Sequence, residues 1–263
     1  SEKVEKKPAS DTLIVKGEKH FKNMRMLTNG GENAEAYFSF DGTKIIFQST
    51  RDQYECDQIF TMNVDGSNLK LVSTGKGRTT CSYFYPDGKN ILFASTHQAS
   101  DVCPQKPDFS KGYTWALYAD YEIYKAGVDG SNPVKLTDIK GYDAEATISP
   151  KGDKIIFTST RNGDIDLYSM NLDGSDVKQL TDIAGYDGGA YYSYDGSMIV
   201  FRASRFNDPA KLKEYRDLLA EGLIRPGMLE IYVMNADGSN IRQVTNNGAA
   251  NFGPYFFPDG KRV

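Results

Sequence analysis

An all-β fold, a β-propeller of four-stranded blades, is what this sequence predicts, and three observations carry the prediction. Tight Gly turns recur at Asp41-Gly42, Asp87-Gly88, Lys151-Gly152, Asp195-Gly196 and Asp259-Gly260, each between two short apolar runs. A second set, Asp65-Gly66-Ser67, Asp129-Gly130-Ser131, Asp173-Gly174-Ser175 and Asp237-Gly238-Ser239, closes a hydrophobic hairpin each time. The period of roughly 40 to 50 residues is that of a propeller or solenoid repeat.

The unit from Asp143 to Thr181 gives the elements in order: strand AEATIS, a Pro-Lys-Gly turn, strand KIIFTST, loop RNGDID, strand LYSMN, turn LDGS and strand VKQLT. Four strands follow one another with no helix. The runs are short, β-branched or aromatic, and are separated by Asp-Gly pairs whose Gly takes positive φ at no steric cost. Four-stranded antiparallel sheets repeated about an axis make a propeller.

Turn-to-turn spacing locates departures from this unit. From first to second turn the chain runs 24 residues in the first unit (41 to 65) and 22 in the third (151 to 173), but 42 in the second (87 to 129) and fourth (195 to 237). Two insertions of about twenty residues, at about 97–121 and 205–228, therefore fall between the second and third strands of their blades. That connection lies on the face opposite both sets of turns, so one face is regular and the other carries the variable sequence, where binding usually resides.

At the start, Met24 to Phe38 aligns with Ile241 to Phe256, so Asn23 to Thr28 reads as the outermost strand of a further blade. Four complete blades and parts of two others are expected over residues 21–263, with the propeller incomplete at the C-terminus and six blades in the parent protein. Residues 1–20 read as a flexible charged leader.

A net charge of −4 offers no basic stripe for nucleic acid, and no apolar run of about eighteen residues could span a membrane. Cys56 falls in the first blade's loop, Cys81 at the start of the second blade and Cys103 in the second blade's insertion; a Cys56–Cys103 disulfide is the expected pairing, three unpaired thiols the alternative.

The units resemble the TolB-like, WD-repeat-like propeller repeat, carried here by ISPKGDKIIFTSTR, DIDLYSMNLDGSD and KQLT in the third unit and by YSYDGSMIVFRASR, LEIYVMNADGSN and RQVT in the fourth. The resemblance runs from about Met24 to Val263. It implies the fold, and it implies settings such as the periplasmic Tol-Pal envelope system, free-standing exported proteins or the gating domain of prolyl oligopeptidase-type enzymes. Against TolB, the sequence read alone leads one to expect departures in its two insertions and in the lack of a separate α/β domain before the repeats.

Candidate site residues lie on the irregular face. Arg51, His97, Arg161 and Arg205 end the second strands at equivalent positions, and a ring of such cations at a channel mouth would favour an anionic ligand or acidic partner; each Arg pairing with a neighbouring blade's carboxylate to brace the ring is the alternative. Asp143 and Asp187 begin the first strands, with Glu35 and Glu145 two residues beyond that level, and oxygens from these four facing the channel would suit calcium. The aromatic second insertion contains Trp115, the only Trp. In the fourth insertion Asp208, Pro209, Leu212, Tyr215 and Leu219 predict a short amphipathic helix.

No Gly-x-Ser-x-Gly, Walker or HExxH motif is present, and there are two histidines in all. The expected function is a non-catalytic binding protein for a protein partner or small anionic ligand, in an envelope assembly, and periplasmic, outer-membrane-anchored or secreted. The alternative is a hydrolase or lyase acting on peptide or glycan at the channel mouth.

Overall fold

The computed structural model describes residues 13–263; the first twelve residues of the expected leader lie outside the described part. Four antiparallel four-stranded sheets stand around a central channel. Blade one is β1 (Glu32–Phe38), β2 (Lys44–Thr50), β3 (Gln58–Asn63) and β4 (Lys70–Leu71). Blade two is β5 (Thr79–Phe84), β6 (Asn90–Ser95), β8 (Glu122–Gly127) and β9 (Val134–Lys135), with β7 (Trp115–Ala116) in its insertion. Blade three is β10 (Asp143–Ile148), β11 (Lys154–Ser159), β12 (Asp166–Asn171) and β13 (Lys178–Gln179). Blade four is β14 (Asp187–Tyr192), β15 (Met198–Ala203), β17 (Glu230–Asn235) and β18 (Arg242–Gln243), with helix α1 (Pro209–Ala220) and β16 (Leu223–Ile224) in its insertion.

The second strands read as unbroken apolar runs because neighbouring blades cover both of their faces. Ile155 and Phe157 pack with Tyr83, Leu92 and Ile123 of blade two, while Ile156 and Leu167 pack with Ile199, Phe201 and Met234 of blade four. The core thus lies between blades, and each blade is stable through its neighbours.

The outer hairpin turns explain the Asp-Gly-Ser signature. Asp173 Oδ1 accepts from Ser175 N at 3.0 Å, and Asp129 and Asp237 do the same for Ser131 and Ser239. Gly174 takes φ +86°, and a Cβ there would stand 2.5 Å from Leu136 O of the preceding blade. Gly174→Ala is expected to lower the unfolding free energy by more than about 1 kcal/mol. Gly163, at φ +88° with open space around it, is the control: urea midpoints of the two alanine variants should differ, and equal midpoints would show that the blade contact contributes nothing.

The segment Asn23–Thr28 pairs as a strand with none of the described residues. It nevertheless occupies the equivalent place. Leu27 O approaches Gly66 as Leu136 O approaches Gly174, and Leu27 packs on Phe47, Phe60 and Met62. At the other end, Phe257 N donates to Arg262 O at 2.9 Å, the bond that Ser149 N makes to Lys154 O in blade three.

The two insertions meet. β7 pairs antiparallel with β16, Leu223 opposite Ala116 and Ile224 opposite Trp115, so the insertions of blades two and four join above blade three. Asp208 caps α1 by accepting from Ala210 N at 2.9 Å, and the buried Tyr215 and Leu218 turn the helix down towards the propeller rim. There Tyr215 packs with Ile165, Tyr186, Ile224 and Leu229 and donates to Asp164 Oδ1. Cys56 and Cys103 are joined by a disulfide with Cα atoms 5.9 Å apart, tying the second insertion to blade one. Cys81 is buried and unbonded.

Candidate functional site

Every first strand carries a bulge near the irregular face. The register shifts between Ala34 and Tyr37, Thr80 and Tyr83, Ala144 and Thr147, and Gly188 and Tyr191. At its centre the backbone is left-handed: Glu35 at φ 49°, Cys81 at 51°, Glu145 at 54° and Gly189 at 58°, and Gly253, at the equivalent place after blade four, has φ 60°. Three of these are residues with side chains in a region that favours glycine, and such strain persists where surrounding structure imposes it. The consequence is directional, because a bulge interrupts the two-residue alternation of a strand.

Asp143 and Asp187, before the bulge, therefore turn into their own blades and are 1% and 0% exposed. Arg161 Nη2 donates to both oxygens of Asp143 at 3.1 and 3.0 Å, while its Nε donates to Ser159 Oγ. Arg205 Nη2 lies 2.6 Å from Asp187 Oδ1, out of line for a well-directed hydrogen bond. Arg51 donates to Asn33 Oδ1 at 3.1 Å, and His97 Nδ1 lies 2.9 Å from Ser95 Oγ, which is bonded to Thr79. Aromatic rings complete these niches: Arg161 lies 4.9 Å from the Tyr168 ring, Arg205 5.2 Å from Tyr232, and the His97 ring 4.4 Å from Tyr124. The four positions are equivalent, as the sequence indicates, but instead of a ring of open cations they form braces inside each blade. Burial outweighs the Arg205 charge and pushes the Asp187 carboxyl up to about 7.

Glu35, Cys81 and Glu145, at the bulge, line the channel with Tyr37, Ser82, Tyr191, Arg202 and Phe252 around a cavity of about 290 Å³. The four expected metal oxygens are thereby divided, two into blades and two onto the channel, and among the described residues no three of His, Cys, Asp and Glu gather closely enough to hold a metal ion. Glu145 accepts from Gly189 N at 2.6 Å and Tyr186 Oη at 2.7 Å. Arg202 Nη2 donates to Tyr186 Oη at 3.0 Å and lies 3.5 Å from Glu145. Its guanidinium sits 5.3 Å from the Trp115 ring, 5.6 Å from Tyr186 and 5.3 Å from Phe252. Glu35 is exposed as a residue, yet its carboxyl is crowded by the channel wall; that crowding first, and the charge on Glu145 second, push it above the usual carboxylate range. Burial first, and then the charges on Glu35 and Glu145, push the Cys81 thiol well above its ordinary value.

Towards the regular face the channel passes a belt of tyrosines that also lines a further cavity of about 470 Å³. Tyr37 and Tyr191 touch hydroxyl to hydroxyl at 2.5 Å, and Tyr83 and Tyr255 lie 3.4 Å apart in the same way. Towards the irregular face it widens into a mouth of about 610 Å³ that shares Glu35, Cys81, Glu145, Arg202 and Phe252 with the inner cavity and adds Phe109, Tyr113, Trp115, Tyr118 and Arg78.

Of the residues expected from sequence, Glu35, Glu145 and Trp115 meet at this mouth, whereas Arg51, His97, Arg161, Arg205, Asp143 and Asp187 belong to the braces. Arg202, Tyr186 and Phe252 are absent from the sequence reading. Arg202 carried a usable signal: it stands inside the apolar run MIVFRA where the other blades have Gln48, Ala94 and Thr158.

No family model matches the chain. A protein TolB homolog from Chlorobium luteolum is 26% identical over 145 residues, 47% of this chain and 33% of that protein; the matched part spans about a third of the length of the curated relatives. The crystal structure of TolB from Acinetobacter baumannii superposes with a TM-score of 0.60 at 19% identity, covering 82% of this chain and 44% of that one. An oligogalacturonate lyase in complex with manganese superposes with a TM-score of 0.52 at 16% identity, covering 88% and 60%. Likeness at these identities speaks for the fold.

Proposed function

Given a chain that is a TolB-like β-propeller, we propose that it is an exported binding protein which captures a partner segment or small ligand at the channel mouth on its irregular face. The observation that carries this reading is the funnel itself: a wide mouth lined by aromatic rings and charged side chains together leads into a narrower, more apolar cavity into which Glu35, Glu145 and Arg202 converge. Concave, largely apolar sites with a few convergent polar groups are the usual form of a binding site. Trp115 is held in the funnel by its strand pairing and by edge contact with Tyr186 at 6.2 Å, a rigid aromatic anchor of the kind that dominates binding energy. An oxidising compartment, periplasmic or extracellular, is the setting the Cys56–Cys103 bond supports.

What favours binding over turnover is that Glu145, one of the two channel carboxyls, is engaged by two donors of its own wall. Panning a displayed peptide library against the protein should select segments whose affinity falls at least about tenfold on Trp115→Ala. Selected segments indifferent to Trp115→Ala would move the binding surface elsewhere. Turnover of oligogalacturonate by this chain would replace the reading with an enzymatic one.

A further inference from the structure

The inner cavity carries an unbalanced charge. Its wall holds two carboxyl groups, Glu35 and Glu145, and one guanidinium, Arg202. Arg202 is committed to Glu145 and Tyr186 and is closed over by the rings of Trp115 and Phe252, leaving its side chain 14% exposed. Glu145 is bonded to Gly189 N and Tyr186 Oη and is 11% exposed. Among the described residues no Lys, Arg or His forms an ion pair with Glu35, whose neighbours are the neutral Cys81 thiol, the like-charged Glu145 and, at longer range, Arg202. The surplus charge of the cavity is therefore the Glu35 carboxylate.

A second, independent observation comes from the same wall. Ser82 is 1% exposed, lines the cavity, and its Oγ has no hydrogen-bond partner. A buried hydroxyl left unpaired is uncommon and calls for an explanation. At the mouth Thr114, 2% exposed, has an unpaired Oγ1 of the same kind. A ligand with several donors on one small cationic head answers both the missing charge and the missing partner at Ser82. An ammonium group, with three N–H bonds and a compact charge, has that form, and its alkyl stem suits the aromatic mouth above. A guanidinium is a planar fork that needs paired acceptors in one plane.

We propose that the inner cavity takes an alkylammonium group, either the end of a lysine side chain or the free amino terminus of a partner segment, with Glu35 as its counter-ion and Ser82 Oγ as a further acceptor. This rests on the channel mouth being the binding surface. The left-handed backbone at Glu35 acquires a purpose in it: the bulge turns this carboxyl out of the blade, where Asp143 and Asp187 go, and into the channel.

The test is isothermal titration of the chain with Nα-acetyl-lysine N-methylamide and with glycylglycine amide, and with Nα-acetyl-norleucine N-methylamide as the uncharged counterpart. One ammonium probe should bind at least about tenfold more tightly than the norleucine compound, and Glu35→Gln should remove at least about tenfold of that affinity. Ser82→Ala should cost at least about tenfold, the size of one hydrogen bond from a charged donor. Preference for the lysine probe or for the free amino terminus identifies the source of the group. Equal binding of the norleucine compound, unchanged affinity in Glu35→Gln with a thermal midpoint like the parent's, or no binding of either ammonium probe overturns the proposal. Calcium binding that depends on Glu35 while both ammonium probes fail to bind also overturns it, in favour of a metal. If library-selected segments without any ammonium group bind in a manner lost on Trp115→Ala and untouched by Glu35→Gln, the mouth reading stands and this one falls.

Discussion

Arg205→Ala is expected to cost up to about 1.4 kcal/mol more stability near pH 8 than near pH 5, the equivalent of one pKa unit. Asp187 is 0% exposed and Arg205 is the cation beside it, 2.6 Å from Oδ1. Removing the guanidinium strands a buried carboxylate, and that uncompensated charge costs more than the pair gains. The pH dependence follows from the raised pKa. With Arg205 present the folded carboxyl titrates at about 7, above the unfolded value of about 3.9. The folded state thus takes up a proton on folding between those values, so the contribution of this group is fully present below about pH 4 and is lost as pH rises through about 7. Without Arg205 the folded pKa moves higher still, and near pH 5 the neutral acid sits in its niche with little penalty. Urea midpoints of parent and variant at the two pH values decide the matter; a deficit of the same size at both would show that Asp187 is not the group responsible.

Cys103→Ser should lower stability by about 4 kcal/mol, between the roughly 3 kcal/mol of a 15-residue loop and the roughly 4.7 kcal/mol of a 100-residue loop. The bond spans 47 residues of sequence. Cys56 lies in the loop before β3 and Cys103 in an insertion that also meets the propeller through Asp101, Trp115, Leu117 and Tyr118. Losing it should increase amide exchange over residues 98–114 before any change in β10 to β13. A variant with the parent's thermal midpoint would mean that the native and denatured ensembles are equally indifferent to the bond.

The propeller was legible because its turns are chemically local. An Asp that caps a Ser amide two residues on, with Gly between them at positive φ, is written in three adjacent letters, and four copies set the period. The helix in the fourth insertion was legible for the same reason, through Asp208 and Pro209. The direction of the strand-end side chains was not. Asp143 and Glu145 stand two apart, which on a regular strand means one face; the bulge between Ala144 and Thr147 separates them, and nothing in DAEATI announces it except its recurrence at Glu35, Cys81 and Gly189. Equivalence among Arg51, His97, Arg161 and Arg205 was readable from alignment of the repeats, but whether equivalent cations face a ligand or their own blade depends on a niche built by Ser159, Phe157 and Tyr168 together. The funnel draws Arg202 from β15, Trp115 from β7 and Phe252 from beyond β18, and a meeting of three distant segments has no local signature.

Repeat arrays ordinarily lose their units one at a time, because each touches only the next. The two short strands that join the insertions break that rule. Trp115–Ala116 and Leu223–Ile224 couple blades two and four directly, so blade three cannot melt on its own without tearing a bond that belongs to neither of its interfaces. Blades two to four are expected to unfold as one cooperative unit and to exchange their amides at one common free energy, and closing a loop of this length makes the unit slow to form.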